Sequence, residues 1–353
     1  MKKITNLILV AVMFVAAAGF IFTSCTKEGP QGASGANGTN GKDGKDGLSA
    51  LTCQECHNFS DTIVAKIFQY NASRHATGST LTEASRNACA PCHSSQGFAE
   101  VNATGQFNTV AGIPDAAPIN CRTCHQIHKT YTNADWSLAT TAPFRMRYDS
   151  TVTVDFTPNG GSGNLCGRCH QARAASPALT NPSSTTDSIN ITSNRWGPHH
   201  GPQANMIAGK GAYNDAGFRT SPHSTNVLCI GCHGQNAQGN LVGGHSLIMT
   251  SADVGDNVAV CKPCHASATS FDVDGAQTDV EDHYQQLKVK LAAFNMLDTT
   301  TMLLKPRKYA QADLAVFWNF MLVDADRSMG VHNYKYTIDM LQAGINHFGG
   351  KGK

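Results

Sequence analysis

Charge is scarce in this chain of 353 residues: 15% are Asp, Glu, Lys or Arg, and the formal net charge is +2. That balance excludes the basic excess with which nucleic-acid-binding domains engage phosphate backbones. Aromatic residues are few as well, at 7% of the chain, whereas Gly, Ser, Thr and Asn are plentiful. Such a composition implies long irregular connections and a core that side chains alone do not fill. The long apolar run, Leu7 to Phe22, falls short of the roughly 20 residues of a membrane-spanning helix. Against these scarcities stand 13 Cys and 15 His, and their placement carries most of the information.

Lys2 and Lys3 precede the apolar run, which gives residues 1–24 the layout of a signal peptide, with an uncleaved anchor as the alternative. Phe22-Thr23-Ser24-Cys25 resembles the lipobox of bacterial lipoproteins, although Phe stands where an aliphatic residue is usual. That resemblance implies acylation of Cys25, the one cysteine outside a CxxC pair. Several acyl chains on one residue hold a protein firmly to a membrane, whereas a single chain binds marginally. The following Thr26-Lys27-Glu28 is loosely similar to surface-export signals of some bacterial lipoproteins. Residues 25–52 contain Gly at 29, 32, 35, 38, 41, 44 and 47, the Gly-X-Y period of collagen-like segments. With a single Pro in that repeat, a flexible spacer and a local trimer both stay open. Loss of the signal segment removes two lysines and no acid, leaving the mature chain formally neutral.

The other twelve cysteines form six CxxC pairs, each followed at once by His. The pairs are Cys53 and Cys56, Cys89 and Cys92, Cys121 and Cys124, Cys166 and Cys169, Cys229 and Cys232, and Cys261 and Cys264. Zinc sites and redox disulfides also use CxxC, but neither needs His at the next position. Two thiols at this spacing reach the two vinyl groups on one edge of a haem, and the next residue falls under the iron. The motifs therefore predict six covalent haem c groups, with His57, His93, His125, His170, His233 and His265 as proximal iron ligands. Six apolar plates would supply much of the missing core, and their propionates would make the holoprotein more acidic than the bare chain.

Nine histidines remain, and six suffice to give every iron a second imidazole. The candidates are His75 in NASRHATG, His128 in CRTCHQIHKT, His199 in preference to His200 in RWGPHHGPQANM, His223 in TSPHST, His245 in GGHSL and His332 in MGVHNYKY. A surface or propionate-binding role is the alternative for each. His283, on an exposed helix face, and His347, near a Gly/Lys terminus, are weaker candidates. His128 follows His125 by one helical turn, so both side chains point the same way. Axial ligands approach from opposite faces, so His128 belongs to a haem other than the third.

The fold class is mainly α with extensive irregular loops, organised around a haem chain. Residues 53–270 form the haem-binding region. One helix is expected through IVAKIFQYNASRHA after Ser60-Asp61, with Ile63, Ile67 and Tyr70 on one face. Residues 271–353 lack cysteine and read as three helices: one with apolar residues at 280, 284, 287 and 291, ADLAVFWNFMLVDAD, and NYKYTIDMLQAGINHF after a turn at Met329-Gly330. A bundle or hairpin packed on the haem region follows.

With these motifs in place, the chain resembles a bacterial multihaem c-type cytochrome over roughly residues 53 to 350. WNFMLVDADRSMGVHNYKYTIDML is similar to the C-terminal helices of the superfamily of ammonia-forming nitrite reductase and its octahaem relatives. There a GVHN-like segment supplies a distal histidine, which implies that role for His332. RWGPHHGPQANM resembles a segment of outer-membrane and extracellular multihaem cytochromes. The CxxCK motif of a lysine-ligated catalytic haem is absent, which speaks against nitrite reduction. The resemblance implies electron transfer at the outer membrane or cell surface, with no catalytic residues. Partners would be quinol-linked or periplasmic cytochromes on one side and a terminal acceptor on the other. Alternatives are a reductase of nitrogen or sulfur oxyanions with one open haem, and a subunit of a cytochrome filament.

Overall fold

The computed structural model describes His57 and residues 60–78, 80–157, 160–214, 220–239 and 241–350. The expected signal peptide, Cys25, the Gly-X-Y spacer, Cys53 and Cys56 lie outside the described residues. All described residues belong to one compact unit, 48–353. No helix among them is long and apolar enough to cross a membrane.

The secondary structure is mainly α-helical, in short pieces joined by irregular chain. Helix α1 (Asp61–Ala72) ends where Ser73 turns extended, and a separate turn, α2 (Arg74–Thr77), carries His75. The expected single helix is thus broken at Ser73. Its hydroxyl accepts a hydrogen bond from the Ala76 N–H at 3.2 Å and caps α2. A serine that bonds neighbouring backbone in this way favours a helix end over a helix interior. Then come α3 (Ala90–His93), α4 (Ser95–Thr104), α5 (Cys121–Cys124), α6 (Ser162–Gly167), α7 (Gln203–Ala208), α8 (Pro222–Asn226) and α9 (Leu228–His233). The described strands pair only in twos, all antiparallel. These are β1 (Phe144–Arg145) with β2 (Thr153–Val154), β3 (Ser188–Ile191) with β8 (Arg307–Ala310), β4 (Thr250–Ser251) with β5 (Gly255–Asp256), and β6 (Leu297–Asp298) with β7 (Leu303–Leu304).

Three longer helices fill the cysteine-free tail. α10 (Ala276–Ala293) buries Val280, Tyr284, Leu287 and Leu291, the positions marked by its apolar spacing. α11 (Gln311–Asp326) is buried on nearly every side, including Phe317, Trp318 and Phe320, as its all-round apolar sequence requires. α12 (Tyr334–Gly349) packs on both. Gly344 makes the close approach possible: a Cβ there would stand 2.8 Å from Leu287 and from Val316.

This core reaches into the cysteine-rich region. The Trp318 indole N–H donates to the Gly211 carbonyl at 2.9 Å, and its ring meets Trp196 and Tyr213 edge-on. Asn319 bonds Tyr213 in both directions at 2.8 and 2.9 Å. A smaller cluster joins Phe144, Met146, Val154, Phe156, Ala204, Ile207 and Leu228. Before Phe144 the buried apolar side chains among the described residues are few: Ala84, Cys89, Ala90, Pro91 and Phe98. So few apolar side chains cannot stabilise that part of the unit by their own burial.

Candidate haem sites

Each described CxxCH motif closes one helical turn. The histidine N–H donates to the carbonyl of the first cysteine at 3.1 Å (His93 to Cys89), 2.8 Å (His125 to Cys121), 2.9 Å (His170 to Cys166) and 2.8 Å (His265 to Cys261). CIGCH lies within α9. Residues three and four apart on such a turn share a face, so both thiols and the imidazole project to one side. Gly167 in CGRCH seats that turn against the Phe144 ring, where no Cβ fits. None of the ten described motif cysteines is in a disulfide. Among the described residues, no group of three or more Cys, His, Asp or Glu is arranged to hold a metal ion.

Every motif histidine faces one histidine from outside the motifs. Ring centroids stand 6.1 Å apart for His57 and His128, 6.5 Å for His93 and His199, and 6.1 Å for His125 and His245. The remaining pairs are His170 and His75 at 6.1 Å, His233 and His332 at 6.5 Å, and His265 and His223 at 6.3 Å. Two imidazoles on opposite sides of one metal, bonded at about 2.0–2.1 Å with centroids about 1.1 Å beyond each nitrogen, stand about 6.2–6.4 Å apart. The residues present therefore fit an iron centre between each pair. All six distal candidates take part. His200 lies beside His199 instead, with centroids 5.7 Å apart. His283 is half-buried rather than exposed, with Nδ1 2.8 Å from the Asp279 carbonyl, and His347 Nε2 is 2.6 Å from Asp313 Oδ1.

Eleven of the twelve paired histidines line one continuous cavity of about 2710 Å³, the exception being His265. A small-molecule pocket is about 300–1,000 Å³, so this space suits several large groups. Ile63, Ile67 and Tyr70, the expected apolar face of α1, form part of its wall, which accounts for the 45% exposure of Ile67. Lys66, Arg74, Arg86, Arg147, Arg173, Arg195 and Arg327 line it against only Glu83, Asp135 and Asp326, an excess of cations that suits acidic propionates.

For six of the paired histidines a hydrogen-bond partner lies at Nδ1, which leaves Nε2 free to face the opposed ring. Nδ1 lies 2.9 Å from the Thr80 hydroxyl in His93, 2.6 Å from the Trp136 carbonyl in His125, and 3.1 Å from Gln203 Oε1 in His170. It lies 2.9 Å from the Leu247 carbonyl in His233, 2.6 Å from the Val331 carbonyl in His223, and 2.7 Å from Asp326 Oδ1 in His332. Acceptors at Nδ1 fix the tautomer and the ring orientation a metal needs. His128 differs: the Arg122 guanidinium stands 2.9 Å from its Nδ1. Burial lowers the pKa of His75 to about 4, with help from His170. Burial, then Arg173, does the same for His199. Both rings are therefore neutral near pH 7, the form that binds metal.

The chain leaves the helical turn of CRTCH at His125, which is extended, and His128 adopts a left-handed φ of 63°. A continuous turn through His128, the premise of the sequence argument, does not form. Asp135 builds the bend instead: Oδ1 accepts from the Thr130 N–H at 2.7 Å and hydroxyl at 2.8 Å, and Oδ2 from the Tyr131 N–H at 3.1 Å. Burial works against that carboxylate's charge, but these bonds outweigh it and hold its pKa below the usual range. His199 is also left-handed, with φ 70°. Non-glycine residues rarely adopt such angles and tend to do so at functional sites.

Shared elements link the sites. His125 and His128 belong to different pairs three residues apart. The Val331 carbonyl holds His223, and the next residue, His332, faces His233. Gln203 holds His170 and donates to the Asp326 carbonyl at 3.3 Å, while the Asp326 side chain holds His332. Cys169 Sγ lies 3.6 Å from the Pro91 carbonyl, and α6 packs on α9. Gln69 of α1 accepts from the His245 N–H at 2.9 Å, just before α2 presents His75. Sequence reasoning did not reach Gln203, Asp326, Thr80, Trp136 or Val331. Of these only Asp326, six residues before His332, carried a local signal.

No protein-family model and no curated protein matches this chain. Among solved structures, the outer cell wall cytochrome OcwA is similar at 18% identity and a TM-score of 0.47, over 79% of this chain and 49% of that one. The undecahaem cytochrome from the S-layer of Carboxydothermus ferrireducens is similar at 19% identity and a TM-score of 0.41, over 78% of this chain and 40% of that one. The chain thus spans half or less of the length of either structure.

Proposed function

We propose that this chain is a c-type cytochrome with six haems, each attached through one CxxCH motif and held between two histidines, and that it passes electrons at the surface of a bacterial cell. The observation that supports this reading most strongly is the one-to-one pairing of six motif histidines with six others at 6.1–6.5 Å. When bound, each haem supplies a one-electron ferric/ferrous couple. The chain does the rest. The motif thiols would attach each haem, the paired imidazoles would hold its iron, and the Nδ1 partners keep those rings in place. A second imidazole on every motif favours electron transfer over the open position that a catalytic haem keeps. Shared segments such as Gln203 with Asp326, and Val331 with His332, tie neighbouring sites to one another.

In this reading acylated Cys25 anchors the protein in the outer membrane, and residues 26–52 lift the haem-binding unit off it. A quinol-linked or periplasmic cytochrome delivers electrons, and a terminal acceptor removes them. Intact mass and haemochrome absorbance of the purified exported protein test the cofactor content. The expected result is six covalent haems per chain and a diacyl or triacyl group on Cys25. Fewer than six thioether-bound haems contradicts the reading.

A further inference from the structure

One Nδ1 partner among the paired histidines stands apart. Thr80, Trp136, Gln203, Leu247 and Val331 offer neutral oxygens. Among the described residues, His332 alone of the paired histidines meets a carboxylate, Asp326 Oδ1 at 2.7 Å. Asp326 is 4% exposed and is the last residue of α11. Both placements are unfavourable for an anion. Burial costs free energy unless the charge is paired, and the C-terminal end of a helix carries partial negative charge. The local hydrogen bonds compensate: the Ser328 hydroxyl donates to Asp326 Oδ2, and the His332 N–H donates to Ser328 Oγ at 3.3 Å. The main chain of Asp326 is tied to the fourth site through Gln203, whose Oε1 faces His170 Nδ1 at 3.1 Å.

We propose that Asp326 is a positioning residue that gives the fifth haem, the one attached through Cys229 and Cys232, the lowest reduction potential of the six. A carboxylate that accepts the Nδ1–H draws that proton away from the ring and raises the electron density on Nε2. The ligand then stabilises ferric over ferrous iron, and the potential falls. Neutral acceptors do this more weakly, because hydrogen bonds to ionised groups are roughly twice as strong. Ser328 moderates the effect by occupying the other carboxylate oxygen. This inference rests on the six-haem, bis-histidine reading.

The test is potentiometric titration of the purified holoprotein, followed by electron paramagnetic resonance. In Asp326→Asn the lowest-potential component is expected to move upward by a factor of ten or more in its ferric/ferrous equilibrium, about 59 mV for one electron, with the other five unmoved. Ser328→Ala frees one carboxylate oxygen and is expected to move the same component downward. Asp324→Asn, which removes a charge from the same helix at a residue bonded to the Tyr284 hydroxyl at 2.6 Å, is expected to leave it in place. The proposal is overturned if the lowest component stays put in both variants, or if Asp324→Asn moves it as far. Should Asp326→Asn fail to assemble, the downward shift in Ser328→Ala decides alone. An unaltered protein without six low-spin haems would sink the parent reading instead, so the two failures are distinguishable.

Discussion

His128 faces His57 across 6.1 Å, although it follows His125 by three residues, and His125 faces His245 at the same distance. One short segment therefore contributes a ring to each of two separate histidine pairs. Asp135 and the left-handed backbone at His128 turn the second ring away from the first.

Replacement of His128 by Gly should leave six covalent haems and convert one low-spin signal to high-spin. His245→Gly should do the same to a different haem. The double variant should then show two high-spin haems, with additive spectral changes, as expected of sites without a shared ligand. A double variant with one high-spin haem would mean that both histidines serve the third haem.

His283 and His347 bond Asp279 and Asp313 rather than facing a motif histidine. Replacement of either by Gln should leave every haem low-spin in the optical and resonance spectra. The cost to stability should be about 1 kcal/mol or less, the usual size of a partly exposed pair, measured by chemical denaturation. A new high-spin signal in either variant would restore that residue as a ligand.

Gln203→Leu removes the acceptor for His170 Nδ1 and the tie to the Asp326 main chain. An unsatisfied donor should cost about 1–3 kcal/mol. The resonance signals of the fourth and fifth haems should both shift, while the haem count stays at six. If neither signal moves, Gln203 does not couple the two sites.

The division between what could and could not be read in the sequence follows the range of the forces involved. A motif histidine is placed by five consecutive residues, so CxxCH marks its candidate ligand without any tertiary information. The tail helices declare themselves through apolar residues one turn apart, such as Val280, Tyr284, Leu287 and Leu291. The break at Ser73 was hidden because a side-chain cap competes there with an otherwise sound helical pattern. Distal histidines could be selected as a set, by surplus and local context, but not assigned. Which of them meets His93 or His233 depends on where Trp318, Asn319 and β8 dock the tail against residues 188–213. Partners such as the Val331 carbonyl leave no compositional trace, since any residue offers one.

A spin-state census of the fully oxidised holoprotein tests the central claim most directly. Electron paramagnetic resonance combined with near-infrared magnetic circular dichroism should count six low-spin haems per chain, all with bis-histidine signatures and none high-spin. A high-spin haem, or a methionine- or lysine-ligated one, in the unaltered protein would contradict the pairing of six motif histidines with His75, His128, His199, His223, His245 and His332.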